Sequence, residues 1–554
     1  MLIKRRPVLF ITIGLIIILG FAVYSNTLNN RFVWDDYSYV EGNTYIKNWS
    51  HIPKVFTEDI GACAGYKAYF YRPIQMITYM IDYSFWGLNV KGYHLTNIFL
   101  HILVALVIYW LINILYDNLL LSFLTSVLFV AHPIHTETVA FISGRTDSLA
   151  ALFMLLCLVF YIKYLYLENA KIYILTFLSY ILALLSKENS VILPILLLLY
   201  HYAFRKKIKI NKFISILGIT FVYVLLRVTI LKSLLPDTPS LTTLFLKIPG
   251  FFAAITNYFR LILLPFDLHM GYGYTFFHFT YPQTIFGILI LFLLLAYAFI
   301  KRKSDKLMFF SLLWFFVTLL PVSSIYPIND SYMYEHWLYF PSIGLFLILA
   351  EKFCFIYKIK RYRVFATFFM VSIVVFYSSL TIRQNEYWRE PISFYERTLK
   401  YAPDSWRLYN ELGLEYMNIG KTKEAIASYK KALEINPNLV GVYYNLGILY
   451  HNIGNTEEAI RIYKKALEID SGYVQAYVNL GNIYYAIGNT EEAARLYKKA
   501  LEVNPNFAIA HNNLALIYYY EKQYSLAIKH CDKARELGYK VHPQFLDFLK
   551  AYRK

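Results

Sequence analysis

Two carboxylates stand side by side in Arg31-Phe32-Val33-Trp34-Asp35-Asp36-Tyr37, just beyond the first apolar run. A carboxylate set beside a hydroxyl can take its proton, and a pair can hold a cation. A solvated acidic turn is the competing structural role. A second group, Ala131-His132-Pro133-Ile134-His135-Thr136-Glu137, puts two imidazoles and a carboxylate close together, and these are ligand types of zinc. Its spacing is not that of HExxH and its proline interrupts helical phase, so hydrogen bonding at a helix start is the favoured role. Ser143-Gly144-Arg145-Thr146-Asp147 follows, with a guanidinium whose planar fork suits phosphate oxygens. Lys187, next to Glu188, either meets an anionic headgroup or pairs with its neighbour. Arg72 lies in Tyr71-Arg72-Pro73, and Glu335-His336 precede Trp337-Leu338-Tyr339-Phe340-Pro341, where capping of an interfacial helix is the structural alternative. Acidic groups and cations gathered on one face suit transfer from a lipid phosphate to a hydroxyl. The carboxylate takes the acceptor proton and the cations stabilise the leaving phosphate.

The elements that must carry these residues are apolar. Of 554 residues 58% are hydrophobic and 16% charged, too greasy a balance for a soluble chain of this size. Eleven stretches are candidate membrane spans: 8–25, 95–115, 118–134, 148–167, 172–187, 189–205, 213–231, 284–300, 307–325, 337–356 and 364–382. The first is read as an uncleaved helix, since no small-x-small cleavage site follows it. With the N-terminus in the cytosol, four basic clusters fall on the cytosolic side. These are Lys4-Arg5-Arg6; Arg205-Lys206-Lys207 with Lys209 and Lys212; Lys301-Arg302-Lys303; and Lys358, Lys360, Arg361 and Arg363. The further apolar stretch 249–265 is then re-entrant or packed on the bundle, because a twelfth span would invert the Lys301 cluster. Loop 26–94 becomes the first extracytoplasmic loop, with an amphipathic segment 74–86 along the interface. The net charge of +18 resides mostly in short loops; after Glu390, 21 Lys and Arg face 17 Asp and Glu. Nucleic acid is therefore excluded as a partner. Cys63, Cys157, Cys354 and Cys531 are too scattered for a metal pair.

From about Pro391 the apolar runs stop, dividing the chain into 1–389 and 390–554. A 34-residue period takes over: Leu412-Gly413, Leu446-Gly447, Leu480-Gly481 and Leu514-Ala515; Tyr416, Tyr450, Tyr484 and Tyr518; Ala425, Ala459, Ala493 and Ala527. This is the TPR pattern of paired antiparallel helices, with repeats at about 404–437, 438–471, 472–505 and 506–539. A partial unit bearing Tyr395 and Pro403 precedes them. The small residues let paired helices approach while the period-34 tyrosines fill the gap, and the array offers a groove for protein or peptide. The fold class is thus all-α, a polytopic transmembrane bundle of about eleven spans followed by an α-solenoid.

In order, Phe32-Val33-Trp34-Asp35-Asp36, Tyr71-Arg72-Pro73, Tyr93-His94-Leu95-Thr96-Asn97, the stretch His132 to Asp147, Lys187-Glu188 and Leu338 to Gly344 resemble the transmembrane-and-TPR-containing O-mannosyltransferases and their prokaryotic relatives, of the GT-C glycosyltransferase class. The resemblance implies a lumenal or periplasmic site that uses a polyprenyl- or dolichyl-phosphate sugar, typically mannose, and a protein acceptor. It implies a catalytic base in the first outer loop, carried here by Asp35 or Asp36. The family's Glu-His-Arg stretch reads Glu335-His336-Trp337, so phosphate contact shifts toward Arg145 and Lys187. Arg72, His132, His135, Glu137, Glu335 and His336 complete the candidate donor site. The class contains metal-dependent and metal-independent members; no metal is the expectation, with a divalent ion the alternative on the paired carboxylates or the His pair. The membrane would be the plasma membrane in a prokaryote and the endoplasmic reticulum in a eukaryote, with the repeats outside the cytosol. A non-catalytic membrane scaffold and a polysaccharide polymerase or lipid-linked sugar transporter are the competing readings.

Overall fold

The computed structural model describes residues 2–65, 68–229, 241–273, 276–323 and 331–553. It divides into two compact units, Met1–Pro403 and Asp404–Lys554. Among the described residues all regular structure is helical. The helix Pro391–Leu399, which carries the fully buried Tyr395 ring, groups with the first unit.

In the first unit each of the eleven apolar stretches carries helix among its described residues, but helix length departs from the expected span count; 230–231 and 324–325, at the ends of two stretches, lie outside the described residues. Among the described residues six helices are long and apolar enough to cross a bilayer, and the bent pair Leu119–Ala131 and Pro133–Ala140 makes up to seven. A crossing needs about 20 helical residues. Leu119–Ala131, Leu193–Ala203 and Lys306–Leu319 have 13, 11 and 14. The shortening has local causes: Pro133 follows His132 directly, Glu188–Ile192 winds as a 3-10 turn, and Pro321 follows Leu320. The stretch 249–265 belongs to one continuous helix, Leu241–Leu263, that packs along Pro282–Lys301. Gly287 makes that approach possible, since a Cβ there would lie 1.8 Å from the Phe252 carbonyl oxygen. Outward faces carry large apolar side chains such as Phe10, Phe292, Ile300, Val364 and Phe368, as lipid-facing helices require.

The second unit pairs Trp406–Asn418 with Thr422–Ile435, Val440–Asn452 with Thr456–Ile469, Val474–Ala486 with Thr490–Val503, and Ala508–Tyr520 with Tyr524–Glu536; Pro543–Lys550 closes it. In the first three helix pairs the ring that fills the gap is a different tyrosine from the one expected. A Cβ on Gly413, Gly447 or Gly481 would lie 2.7, 2.6 and 2.6 Å from Tyr429, Tyr463 and Tyr497, which sit on the second helix of each pair. Tyr450, Tyr484 and Tyr518 instead receive Lys430, Lys464 and Lys498 of the preceding repeat over their faces, 5.6–5.9 Å from the ring centres. The helix-ending turn at Gly454 has φ +78°, a conformation that only glycine adopts freely.

Gly447→Ala should therefore force the buried Tyr463 ring off its rotamer and destabilise the second unit by about 1–3 kcal/mol. Denaturant unfolding of the full chain, followed by tyrosine fluorescence, reads this. An unchanged midpoint would mean that the ring gives way freely.

Candidate active site

All ten residues singled out in the sequence lie in the first unit, and most are gathered by one segment, His132–Asp147. It leaves the end of Leu119–Ala131, makes the short helix Thr136–Ala140 and a 3-10 turn, and enters the long helix Arg145–Leu167. Broken backbone inside an apolar bundle must find protein partners for its polar groups. Asn97, on the helix Val90–Tyr116, donates through Nδ2 to the carbonyls of Val139, Phe141 and Ile142 at 3.1–3.4 Å. The segment doubles back at Gly144, where a Cβ would sit 2.7 Å from the Glu137 carbonyl oxygen.

Ser143, at that fold, fixes the acidic turn. Its backbone N–H and its hydroxyl both donate to Asp36 Oδ1, at 2.9 and 2.6 Å, and the Val33 N–H donates to Oδ2 at 3.3 Å. Asp36 is wholly buried, and this burial pushes its carboxyl up to about 7 despite the three donors. Trp34 turns the chain with φ +53°, a strained value for a bulky residue. The Tyr395 hydroxyl accepts from the Trp34 N–H at 3.1 Å and holds the turn. Asp35, on the other side of the turn, is half-buried. The two adjacent carboxylates are thus unlike: one is locked inside and the other reaches the surface.

The cations separate in the same way. Arg145 is fully buried; it pairs with Asp82 at 2.6 Å, donates to Thr78, Tyr93 O and Asn97, and lies over the Tyr79 ring. Its guanidinium is enclosed, and its role is to hold three elements together. Lys187 reaches both oxygens of Asp147 at 2.7 and 2.8 Å, and Arg72 pairs with Glu188 at 3.2 Å. Burial alone would raise the Glu188 carboxyl, but Arg72, Arg227 and Lys187 reverse this and bring it down to about 2. These charges, Lys187 buried and the others partly covered, form one group. Arg227 was not singled out in the sequence because it sits inside an apolar run.

At the far end of the segment Glu137 clamps His336. One carboxylate oxygen takes the His336 backbone N–H at 3.0 Å and the other meets Nδ1 at 2.7 Å. This fixes the ring orientation and leaves Nε2 without a protein hydrogen bond among the described residues. Neighbouring Glu335 is buried and accepts from the His269 N–H and the Tyr272 hydroxyl. Burial, and then the nearby Glu137 charge, holds its carboxyl well above the usual range. His269 and Tyr272 escaped sequence reading because a distant segment supplies them.

The remaining two candidates face elsewhere. His132 accepts the Ile134 N–H at Nδ1 and meets the Ile262 carbonyl through Nε2, while His135 points Nε2 at Ser342 Oγ 3.4 Å away. His132, His135 and Glu137 therefore diverge. Among the described residues no group of three His, Cys, Asp or Glu is arranged to hold a metal ion.

Residues 413–454 match the family model described as TPR repeat, and 440–506 and 478–538 match models described as tetratricopeptide repeat. A Caenorhabditis elegans protein named as a protein O-mannosyl-transferase is 25% identical over 431 residues, covering 74% of this chain and 61% of its own length. The Homo sapiens protein O-mannosyl-transferase TMTC2 is 36% identical over 154 residues, 26% of this chain and 18% of its own. The chain thus spans less than two thirds of the length of these relatives. Among solved structures, the crystal structure of MamA is 28% identical, covers 29% of this chain and 90% of its own, and aligns with a TM-score of 0.26.

The Asp36 environment predicts a pH effect. Its carboxyl titrates higher when folded than when unfolded, so its stabilising share is complete below about pH 4 and is lost as pH rises through about 7. Asp36→Asn should remove that loss, so the variant gains on wild type by a few kcal/mol between pH 4 and 8. Thermal unfolding in detergent across this range tests it. A pH-independent gap between the two proteins would show that Asp36 does not titrate there.

Proposed function

We propose that this chain is an integral membrane glycosyltransferase that moves mannose from a polyprenyl- or dolichyl-phosphate carrier to a hydroxyl of a protein, on the extracytoplasmic side. The names borne by relatives along most of the chain support the reaction class. The observation that carries the reading is the asymmetric acidic turn. Asp36 is pinned by Ser143 and buried, so it acts as a positioning residue, and half-buried Asp35 is the group presented to an acceptor.

In the step, Asp35 takes the acceptor hydroxyl proton, the acceptor oxygen bonds to the anomeric carbon, and the bond from that carbon to the phosphate oxygen breaks. The carrier leaves as a phosphate monoester, and its charge falls to Arg72 and Lys187. Both cations already lie among carboxylates, which fixes them in place before the lipid arrives. Arg145 takes no part in phosphate contact, because Asp82 and its other acceptors enclose it. His336, oriented by Glu137, lines the same polar segment.

Sidedness rests on the basic clusters, whose placement toward the cytosol leaves loop 26–94 and the repeats outside it. The membrane is the plasma membrane in a prokaryote and the endoplasmic reticulum in a eukaryote. The helical repeats bind the protein acceptor or a partner along their concave face. No metal enters the reading, since Asp35 needs only an acceptor proton within reach.

Purified protein given radiolabelled polyprenyl-phosphate sugars and envelope proteins should transfer label. Asp35→Asn should lose about a hundred- to ten-thousandfold in rate, and a chelator should leave the wild-type rate unchanged. If a folded Asp35→Asn protein matches wild type, the base is misassigned. If wild type consumes no donor beside native acceptors, a non-catalytic scaffold becomes the better reading.

A further inference from the structure

The helix Ile210–Thr229 turns apolar side chains outward, with Phe221, Val222, Val224, Leu225, Leu226 and Val228 all exposed. After Lys212 its one charged residue is Arg227. A guanidinium on such a helix is costly unless it meets an anion or extends to water. Arg227 turns inward. It donates through NH1 to the Tyr223 hydroxyl at 3.2 Å, and that tyrosine is only 7% exposed. Its field also acts on Glu188, behind Arg72 and ahead of adjacent Lys187.

The charges there do not balance. Arg72 answers Glu188 at 3.2 Å and Lys187 answers Asp147 at 2.7 Å, so both carboxylates of the group are already paired. Among the described residues Arg227 makes no ion pair within 4 Å, and its single protein hydrogen bond is the one to Tyr223. The pairs are also incomplete: Arg72 Nε and Glu188 Oε2 are buried without hydrogen-bond partners. A surplus cation with a fork of open N–H donors, together with the unfilled Arg72 Nε–H, calls for a ligand with several anionic oxygens. The flanking apolar surface sets where that ligand comes from, because a group approaching along this face arrives through the bilayer. A phosphate attached to a hydrocarbon chain satisfies both requirements.

We propose that Arg227 is the bilayer-side contact for a lipid phosphate, receiving it beside Arg72 and Lys187. This deepens the donor site proposed above and rests on that reading's lipid-linked phosphate. Arg227 is a binding residue with no part in the proton transfer at Asp35.

The test compares wild type, Arg227→Gln and Arg227→Lys in nanodiscs for binding of a polyprenyl phosphate, with inorganic phosphate as competitor, alongside steady-state sugar transfer. The Gln variant should bind the lipid phosphate about ten- to a hundredfold more weakly. Its KM should rise with kcat nearly unchanged, and Lys should restore part of the loss. Inorganic phosphate at millimolar concentration should not displace the lipid. Binding by the Gln variant equal to wild type overturns the proposal, as does displacement by inorganic phosphate, which would mark a free-anion site. If the Gln variant loses lipid binding while wild type transfers no sugar, Arg227 keeps its role and the glycosyltransferase reading falls. If transfer is normal in the Gln variant, Arg227 alone is wrong.

Discussion

A fully buried guanidinium cannot be left partly satisfied, because each unmet donor in an apolar interior costs free energy comparable to a lost hydrogen bond. Arg145 meets this condition through Asp82 on Pro73–Trp86, and through Asn97 and the Tyr93 carbonyl on Val90–Tyr116. Those two helices and Arg145–Leu167 are thereby held at one junction. Removing one partner would strand a charge, so the arrangement resists partial rearrangement. Everything near the site is placed relative to this junction. Asn97 also gathers three carbonyls of the segment before Arg145, and the next residue back from Gly144 is the serine that binds Asp36. The chain of dependence runs from one ion pair to the acidic turn in four short contacts.

Polar groups in this unit divide by how they are held. Asp36 and Glu335 are buried carboxyls with raised affinity for a proton, and both accept hydrogen bonds that fix them. Glu188 is the reverse, kept ionised by surrounding cations. Neutral carboxyls can sit deep without partners of opposite charge, whereas the ionised one stands beside arginine and lysine. The result separates a structural interior from a charged rim. Asp35, Arg72 and His336 belong to the rim, with Glu188 beside Arg72 and Glu137 fixing His336, and buried Lys187 lies against Asp147.

Much of this was legible in residue order. The apolar stretches foretold helices, and the 34-residue period foretold the helical repeats. The ordered stretches Asp35-Asp36, Asn97, His132–Asp147 and Lys187-Glu188 do converge. What sequence could not supply was partnership across hundreds of positions. Arg145 and Arg72 look alike as cations in outer loops, yet Asp82 encloses one and leaves the other to Glu188. His132 and His135 share a ligand-like spacing, but Pro133 sends their rings to different neighbours. The left-handed Trp34 carries no marker in its residue type, since the strain is sustained by Tyr395, 361 residues away. Helix length does not confirm the count of eleven spans, because among the described residues apolarity persists through helix breaks.

The repeat joints have a consequence for how such arrays change. Each of three successive units closes on its own glycine against its own tyrosine ring, with nearly the same clearance, and meets the next through one lysine over one tyrosine face. At two of these joints the tyrosine hydroxyl also accepts from an asparagine of the next unit, Asn445 to Tyr429 and Asn479 to Tyr463, so the contacts between units repeat at the same period as the units themselves. A whole unit can therefore be duplicated or deleted in the gene without recutting any interface, whereas a shift of a few residues would break every one downstream. The span of surface the array displays is thus adjustable in evolution, but only in integer steps.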